Sequence, residues 1–283
     1  MLFSEVFVGL IFTYKNQRNM KNLKNTLVIV AGAAGEIGTE YCKEITERGV
    51  ECIGIMRNKR INVISPLLTP VICHLNKEQS IQDAFDKVDF SKYSRVIYLH
   101  TIGVDKFDPR GYPNIKPLET IPTDIYDTNV NSFKYLLRYC VSRINFINQS
   151  RSKKDKIPFK VAIVAGVADK HAPFVIESFC EAKFILKQYI QSCISLYPEW
   201  VSGLSINISS TITRSAIAVR PHADLKYWLE PSEVVAQSMS QLMSSSRKYV
   251  EIDIFKKSPD FFTGYYQDNK VLYEKWSKET GIK

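Results

Sequence analysis

The sequence predicts an α/β domain: a doubly wound parallel sheet of about seven strands with helices on both faces. Three observations predict it. Apolar, β-rich runs alternate with helix-patterned segments along most of the chain. The first run, Thr26 to Ala31, is almost continuously apolar, as suits a parallel strand buried on both faces. A glycine-rich turn, Gly32-Ala33-Ala34-Gly35-Glu36-Ile37-Gly38, joins that run to the first helical pattern.

The elements follow in order. After the turn, Ile37, Tyr41 and Ile45 recur at helical spacing, and Gly49 closes the helix. Val50 to Met56 reads as the second strand and Pro70 to Leu75 as the third. A polar helix runs from about Lys77 to Lys87, and Arg95 to His100 is the fourth strand. A loop carrying Pro109, Pro113, Pro117 and Pro122 precedes a long helix from about Asp124 to Ile147. Phe159 to Ala165 is the fifth strand, Glu177 to Leu196 a second long helix, and Gly203 to Ile208 the sixth strand. Pro231 stands where a proline can open a helix, here one reaching about Met243. Tyr249 to Phe255 is the last strand, and Asp268 to Thr280 has the pattern of a short amphipathic helix.

The 283 residues suffice for one well-buried core, and no linker or repeat divides residues 20–283. The formal charge of +9 comes from separated groups, Lys15 to Lys24, Arg57 to Arg60, Arg151 to Lys156 and Arg247 to Lys257. With no zinc-finger or RNA-binding signature, these read as solvated surface, and neither nucleic acid nor membrane is expected as a partner. The six cysteines form no CxxC pair, and several sit in apolar runs, so they are expected as core thiols in a cytoplasmic protein. No metal site is expected. The apolar stretch Val6 to Phe12 is too short to span a bilayer and has no basic flank before it. Met20 is read as an alternative start, leaving residues 1–19 as an appended tail.

The glycine turn carries the chemistry. Glycines at this place let the backbone approach a pyrophosphate, which the N–H groups of the following helix then receive. The spacing is GxxGxxG, and its setting between a strand and a helix marks a Rossmann-type dinucleotide-binding domain. Gly32, Ala34, Gly35, Glu36, Ile37 and Gly38 are the expected cofactor contacts. An acid at the end of the second strand would hold the adenosine ribose of NAD. Here Met56 stands there, followed by Arg57, Lys59 and Arg60, so NADP is expected over NAD. His74, Leu75, His100 and Thr101 close the list of expected cofactor contacts, at the ends of the third and fourth strands.

Together with the glycine turn, three further segments in this order resemble the short-chain dehydrogenase/reductase family. Ser178-Phe179-Cys180-Glu181-Ala182-Lys183 is similar to the family's Tyr-x-x-x-Lys helix, Thr128-Asn129-Val130 to its helix asparagine, and Pro231-Ser232-Glu233-Val234-Val235-Ala236 to a late helix start. The resemblance covers residues 26 to 255. It implies that Lys183 holds the nicotinamide ribose and that Asn129 supports a proton relay. It also implies a mobile substrate lid over residues 209–228 and a homodimer or homotetramer built on the two long helices.

The chain departs from the family where protons are handled. Phe179 stands at the tyrosine position, and Gly166, in Ala165-Gly166-Val167, lies near the serine position. Phenylalanine donates no proton. His171 is a candidate replacement donor, whereas the Tyr266 to Lys270 match to Tyr-x-x-x-Lys follows the last strand and is read as chance. Two functions remain in view: an NADP-dependent oxidoreductase with a degenerate proton-donor site and an unknown small-molecule substrate, or a non-catalytic NADP(H)-binding sensor or partner-binding protein.

Overall fold

The computed structural model describes residue 23 and residues 25–281, apart from 59–60, 109–111, 115, 117, 247 and 260. The expected tail 1–19, the Met20 start, and Lys59 and Arg60 of the basic loop lie outside the described residues.

β1 (Thr26–Ala31) shows why its run is apolar throughout: every residue is buried. Successive strand side chains point to opposite faces. Leu27, Ile29 and Ala31 enter one core, and Val28 and Val30 enter the other. The glycine turn leads into α1 (Glu36–Glu47), and Gly49 takes the left-handed conformation (φ 74°) that ends the helical segment. β2 (Glu51–Met56) and β3 (Leu68–Ile72) extend the sheet to one edge. The chain passes through α2 (Glu78–Phe85) and returns as β4 (Arg95–His100) on the other side of β1. β5 (Phe159–Gly166), β6 (Val201–Ile208) and β7 (Tyr249–Ile254) complete a seven-stranded sheet of order β3-β2-β1-β4-β5-β6-β7, with every adjacent pair parallel.

Helices cover both faces, as expected. Beneath one lie α2, α4 (Ser132–Gln149) and α5 (Glu177–Leu196), which place Phe85, Phe133, Leu136, Leu186 and Ile190 against Val96, Tyr98 and Val161. On the other face α1 and α7 (Pro231–Met243) bury Tyr41, Ile45, Val235 and Met239 against Ile97, Leu99 and Ile206. The Tyr41 phenol and the Ser238 hydroxyl share a hydrogen bond between these two helices. The C-terminus of α7 is held by cations from the sheet. Lys160 Nζ donates to the carbonyls of Gln241 (2.9 Å) and Ser244 (2.7 Å), and Arg95 donates to that of Met243 (2.7 Å). Of these carbonyls only that of Gln241 also accepts a cap N–H, from Ser244, and positive charge there complements the helix dipole.

Three details differ from the sequence reading. The third strand begins at Leu68 and ends at Ile72, so Cys73 to Leu75 leave the sheet. It is an edge strand, where Pro70, which has no N–H, is tolerated. The long fourth-strand crossover is not one regular helix: α3 (Thr123–Tyr126) passes through a π-helical turn, Asp127–Asn131, into α4. The stretch after β6 contains a short helix, α6 (Arg214–Val219). The expected C-terminal helix forms as α8 (Asn269–Thr280). The six cysteines are free thiols; five are buried and Cys193 is half-buried. Among the described residues no helix is long and apolar enough to cross a membrane.

Candidate functional site

The chain winds outward from β1 to β3 and then crosses to β4, so the strand order reverses between β1 and β4. In such sheets ligands sit outside the carboxyl ends of the strands at that point. Here the glycine turn follows β1 at that place. Two adjoining cavities open over it, of about 380 Å³ and 690 Å³, sharing Gly32, Gly35, Glu36, Ile102 and Ser215 in their walls. Together they form one elongated cleft.

The turn is shaped by close backbone packing. A Cβ at Gly38 would stand 2.2 Å from the Gly32 carbonyl oxygen, and one at Gly32, where φ is 88°, would stand 2.7 Å from Thr101 Oγ1. No side chain caps the N-terminus of α1, which begins at Glu36 in the cleft wall. Its first N–H groups and its dipole therefore favour an anion at the turn. Glu36 would oppose that anion, but its carboxylate is paired with Arg214 of α6. Burial is the largest single influence and raises the Glu36 pKa, but the Arg214 hydrogen bond and charge together with backbone N–H groups lower it on balance.

The larger cavity lies over the ends of β2 and β3. Met56, Arg57, His74 and Leu75 line it, with Ala34 and Gly35 from the turn. The carboxyl end of β2 carries no carboxylate: Met56 is buried and Arg57 is exposed. Thr101 lies in the smaller cavity, fixed by its hydroxyl to the Ala31 carbonyl at 2.8 Å.

The smaller cavity holds Lys183, Phe179 and Gly166. Lys183 is 1% exposed; its Nζ donates to the Ile102 carbonyl at 2.8 Å and lies 5.2 Å from the centre of the Phe179 ring. Burial lowers its pKa to about 8, against the pull of Asp169 and Asp105. Val175, Ile176, Leu272 and Trp276 give the cavity an apolar wall, partly supplied by α8.

Three expected site residues line neither cavity. His100 does not reach the cleft: it is fully buried, edge-on to Phe133, with Nδ1 bonded to the Tyr98 hydroxyl at 2.9 Å. Burial holds it well below the usual histidine pKa, so its ring is neutral. His171 is exposed and outside the cavity wall; it stacks on Tyr266 and bonds Gln267 Nε2 at 2.7 Å. Asn129 is also fully buried. Its amide donates to the Val104 and Ile125 carbonyls (both 3.0 Å) and accepts from Val104 N–H (3.1 Å), which pins the loop after β4 to the π-helical turn.

Three residues that the sequence reading did not select enter the smaller cavity. Tyr266 lines it, while Lys270 points away as an exposed partner of Glu274, so the Tyr-x-x-x-Lys match makes no Tyr–Lys pair. Asp169 follows β5 and is 8% exposed; Oδ2 accepts the Gly166 N–H at 2.8 Å. Asp105 follows β4, and burial raises its carboxyl while Arg220 and Lys183 lower it. Arg220 itself is clamped between the Trp228 and Trp276 rings, 4.3 Å from each centre, and bridges Glu279. No periodicity marks a loop carboxylate, so Asp105 and Asp169 had no local signal.

No protein-family model and no curated protein sequence matches the chain. Among solved structures it is similar to a short-chain dehydrogenase from Burkholderia cenocepacia in complex with NADP, at 14% identity and a TM-score of 0.65, over 90% of this chain and 98% of that one. It is similar to a 3-ketoacyl-(acyl-carrier-protein) reductase from Brucella melitensis complexed with NADH, at 15% identity and 0.63, over 81% and 97%. It also resembles an NADPH-dependent 3-quinuclidinone reductase from Rhodotorula rubra, at 14% and 0.60, over 83% and 92%. At these identities the likeness is one of fold, and the chain has the Rossmann-type fold of these proteins.

Proposed function

We propose that the chain is an oxidoreductase of the short-chain dehydrogenase/reductase type that binds NADP(H) in preference to NAD(H), with its proton-donor side rebuilt. The observation that carries this reading is the continuity of the cleft. It joins an uncapped helix N-terminus at a glycine turn to a buried lysine one chamber away. Those parts fit a dinucleotide. Gly32 to Gly38 would take the pyrophosphate, Leu75 and His74 would flank the adenine, Arg57 would meet a 2′-phosphate, and Lys183 would hold the nicotinamide ribose. Bound there, the dihydronicotinamide supplies a hydride to a small-molecule carbonyl.

A titration with NADPH and NADH, read by cofactor fluorescence, tests it. A hydrogen bond to a charged group contributes about 1.5–3 kcal/mol. Arg57→Ala should therefore weaken NADPH roughly ten- to hundredfold and leave NADH nearly unaffected. Lys183→Ala should weaken both. Binding of neither cofactor defeats the reading. A second reading, a non-catalytic NADP(H)-binding sensor, is favoured by Phe179 and Gly166 at the family's tyrosine and serine positions. It predicts tight NADPH binding with no turnover of ketones or aldehydes.

A further inference from the structure

We propose that Asp169 is the proton donor of the smaller cavity, giving the proton on Oδ1 to the carbonyl oxygen of an apolar ketone or aldehyde in place of the missing phenol. The proposal rests on the oxidoreductase reading above. Its geometry begins at Gly166. A Cβ at that position would stand 2.8 Å from Asp169 Oδ1 and 3.7 Å from Phe179 Cε1. The Asp169 carboxyl therefore fills the space that a side chain at position 166 would claim, next to the ring that replaces the phenol. A polar oxygen is restored there from three residues further along the chain.

The two oxygens of the carboxyl are unequal. Oδ2 is satisfied by the Gly166 N–H. Oδ1 has no nitrogen or oxygen donor among the described residues; beyond the Gly166 N–H, only the Cys180 thiol reaches the carboxyl, whose side chain lines the cavity. A buried oxygen with no stronger donor than a thiol carries a desolvation cost, which a protonated carboxyl facing a substrate oxygen would relieve. The groups facing it are on α5 and at Gly166: Lys183 and Lys187 act on its charge, and the Cys180 thiol donates a weak hydrogen bond to the carboxyl. Asp105, from the loop after β4, acts on the same Lys183. The balance of these leaves Asp169 raised to about 6, chiefly by burial, against the lowering by the Gly166 N–H, the two lysines and the Cys180 thiol. A carboxyl of that strength holds a proton near neutral pH and can release it.

In the reaction, the carbonyl carbon of the substrate accepts the hydride and its π pair moves to oxygen. That oxygen takes the proton from Asp169 Oδ1, whose O–H bond breaks and leaves a carboxylate beside Lys183 and Lys187. The carboxylate then regains a proton from water. In the reverse direction the carboxylate takes the proton of an alcohol. The walls of Val175, Ile176, Leu272 and Trp276 set the substrate class, since they favour an apolar body around the reacting carbonyl.

The test compares wild type, Asp169→Asn and Tyr266→Phe. Three quantities are measured: NADPH binding by fluorescence, NADPH oxidation with a panel of aromatic and aliphatic ketones and aldehydes between pH 5 and pH 8, and the infrared band of a protonated carboxyl without substrate. The expected result is a wild-type carboxyl band that titrates near pH 6 and is absent in Asp169→Asn. Asp169→Asn should keep its NADPH affinity and lose roughly 10²-fold or more in kcat, and wild-type reduction should slow as pH rises through the same range. An Asp169 band already lost by pH 4 overturns the proposal, as does a larger loss in Tyr266→Phe than in Asp169→Asn. NADPH bound with no carbonyl reduced also overturns it and leaves the sensor reading standing. NADPH not bound by wild type is a different failure: it defeats the oxidoreductase reading itself, while the infrared titration still reports the carboxyl.

Discussion

Asp169 also makes a prediction that needs no substrate. Its carboxyl is raised in the folded protein from 3.8 to about 6, chiefly by burial. Below pH 4 it is protonated whether the chain is folded or unfolded, and it costs nothing. As pH rises toward 6, the unfolded chain ionises more readily, so stability falls; above 6 the full penalty remains. That penalty is up to about 3 kcal/mol. Asp169→Asn removes the charge and leaves an amide oxygen for the Gly166 N–H. It should therefore raise the melting temperature at pH 8, with the gain shrinking through pH 6 and vanishing below pH 4. Gly38 carries a prediction of the opposite sign. Because its Cβ would meet the Gly32 carbonyl at 2.2 Å, Gly38→Ala must displace backbone rather than a movable side chain. It should cost about 1–3 kcal/mol of stability and weaken both NADPH and NADH in the same fluorescence titration.

At the scale of elements, the C-terminal helix is joined to the segment after β6 through Arg220 and through the His222 N–H, which donates to the Glu279 carbonyl at 2.9 Å. Arg220 is 6% exposed, held between Trp228 and Trp276, with NH2 donating to Ser210 Oγ at 2.8 Å and NH1 facing Glu279 at 3.4 Å. Burial lowers the guanidinium pKa, and Glu279 and Asp105 oppose that. Truncating Arg220 removes the ion pair, the Ser210 hydrogen bond and both indole contacts at once. Arg220→Ala should speed amide exchange across α8 and residues 209–228 ahead of the sheet, as hydrogen–deuterium exchange would show. Arg220→Lys should not restore protection, because an ammonium cannot stack flat between two indoles. The strands and the two long helices were legible in the sequence because their apolar spacing reports burial directly. His100 was misplaced for a reason visible in that same pattern: it shares strand parity with Val96 and Tyr98 and so faces the core under α4. The π-helical turn at Asn129 and the carboxylates at 105 and 169 were not legible, since each depends on contacts between segments that lie apart in the chain.

For the whole molecule, the same helices that carry the site residues also present apolar surface outward. Phe146 on α4 is 76% exposed, and on α5 Phe184 and Leu196 are 49% and 71% exposed. Single exposed apolar residues are ordinary on a monomer. These lie on two neighbouring helices of one face, and we propose that a second copy of the chain covers them. Two copies related by a two-fold axis would bring the same patch against itself. We therefore expect light scattering after gel filtration to give twice the mass of one chain. Phe184→Glu should shift the protein toward monomer as concentration falls, because a carboxylate would be buried against its own copy without a partner. The site offers a second readout of the same assembly. Phe184 follows Lys183 on α5 directly, so a dimer through that helix should steady the lysine, and the monomeric variant should bind NADPH more weakly. Loss of the dimer with unchanged NADPH affinity would show that each cleft works alone. A wild-type protein that stays monomeric would assign these side chains to the exposed surface.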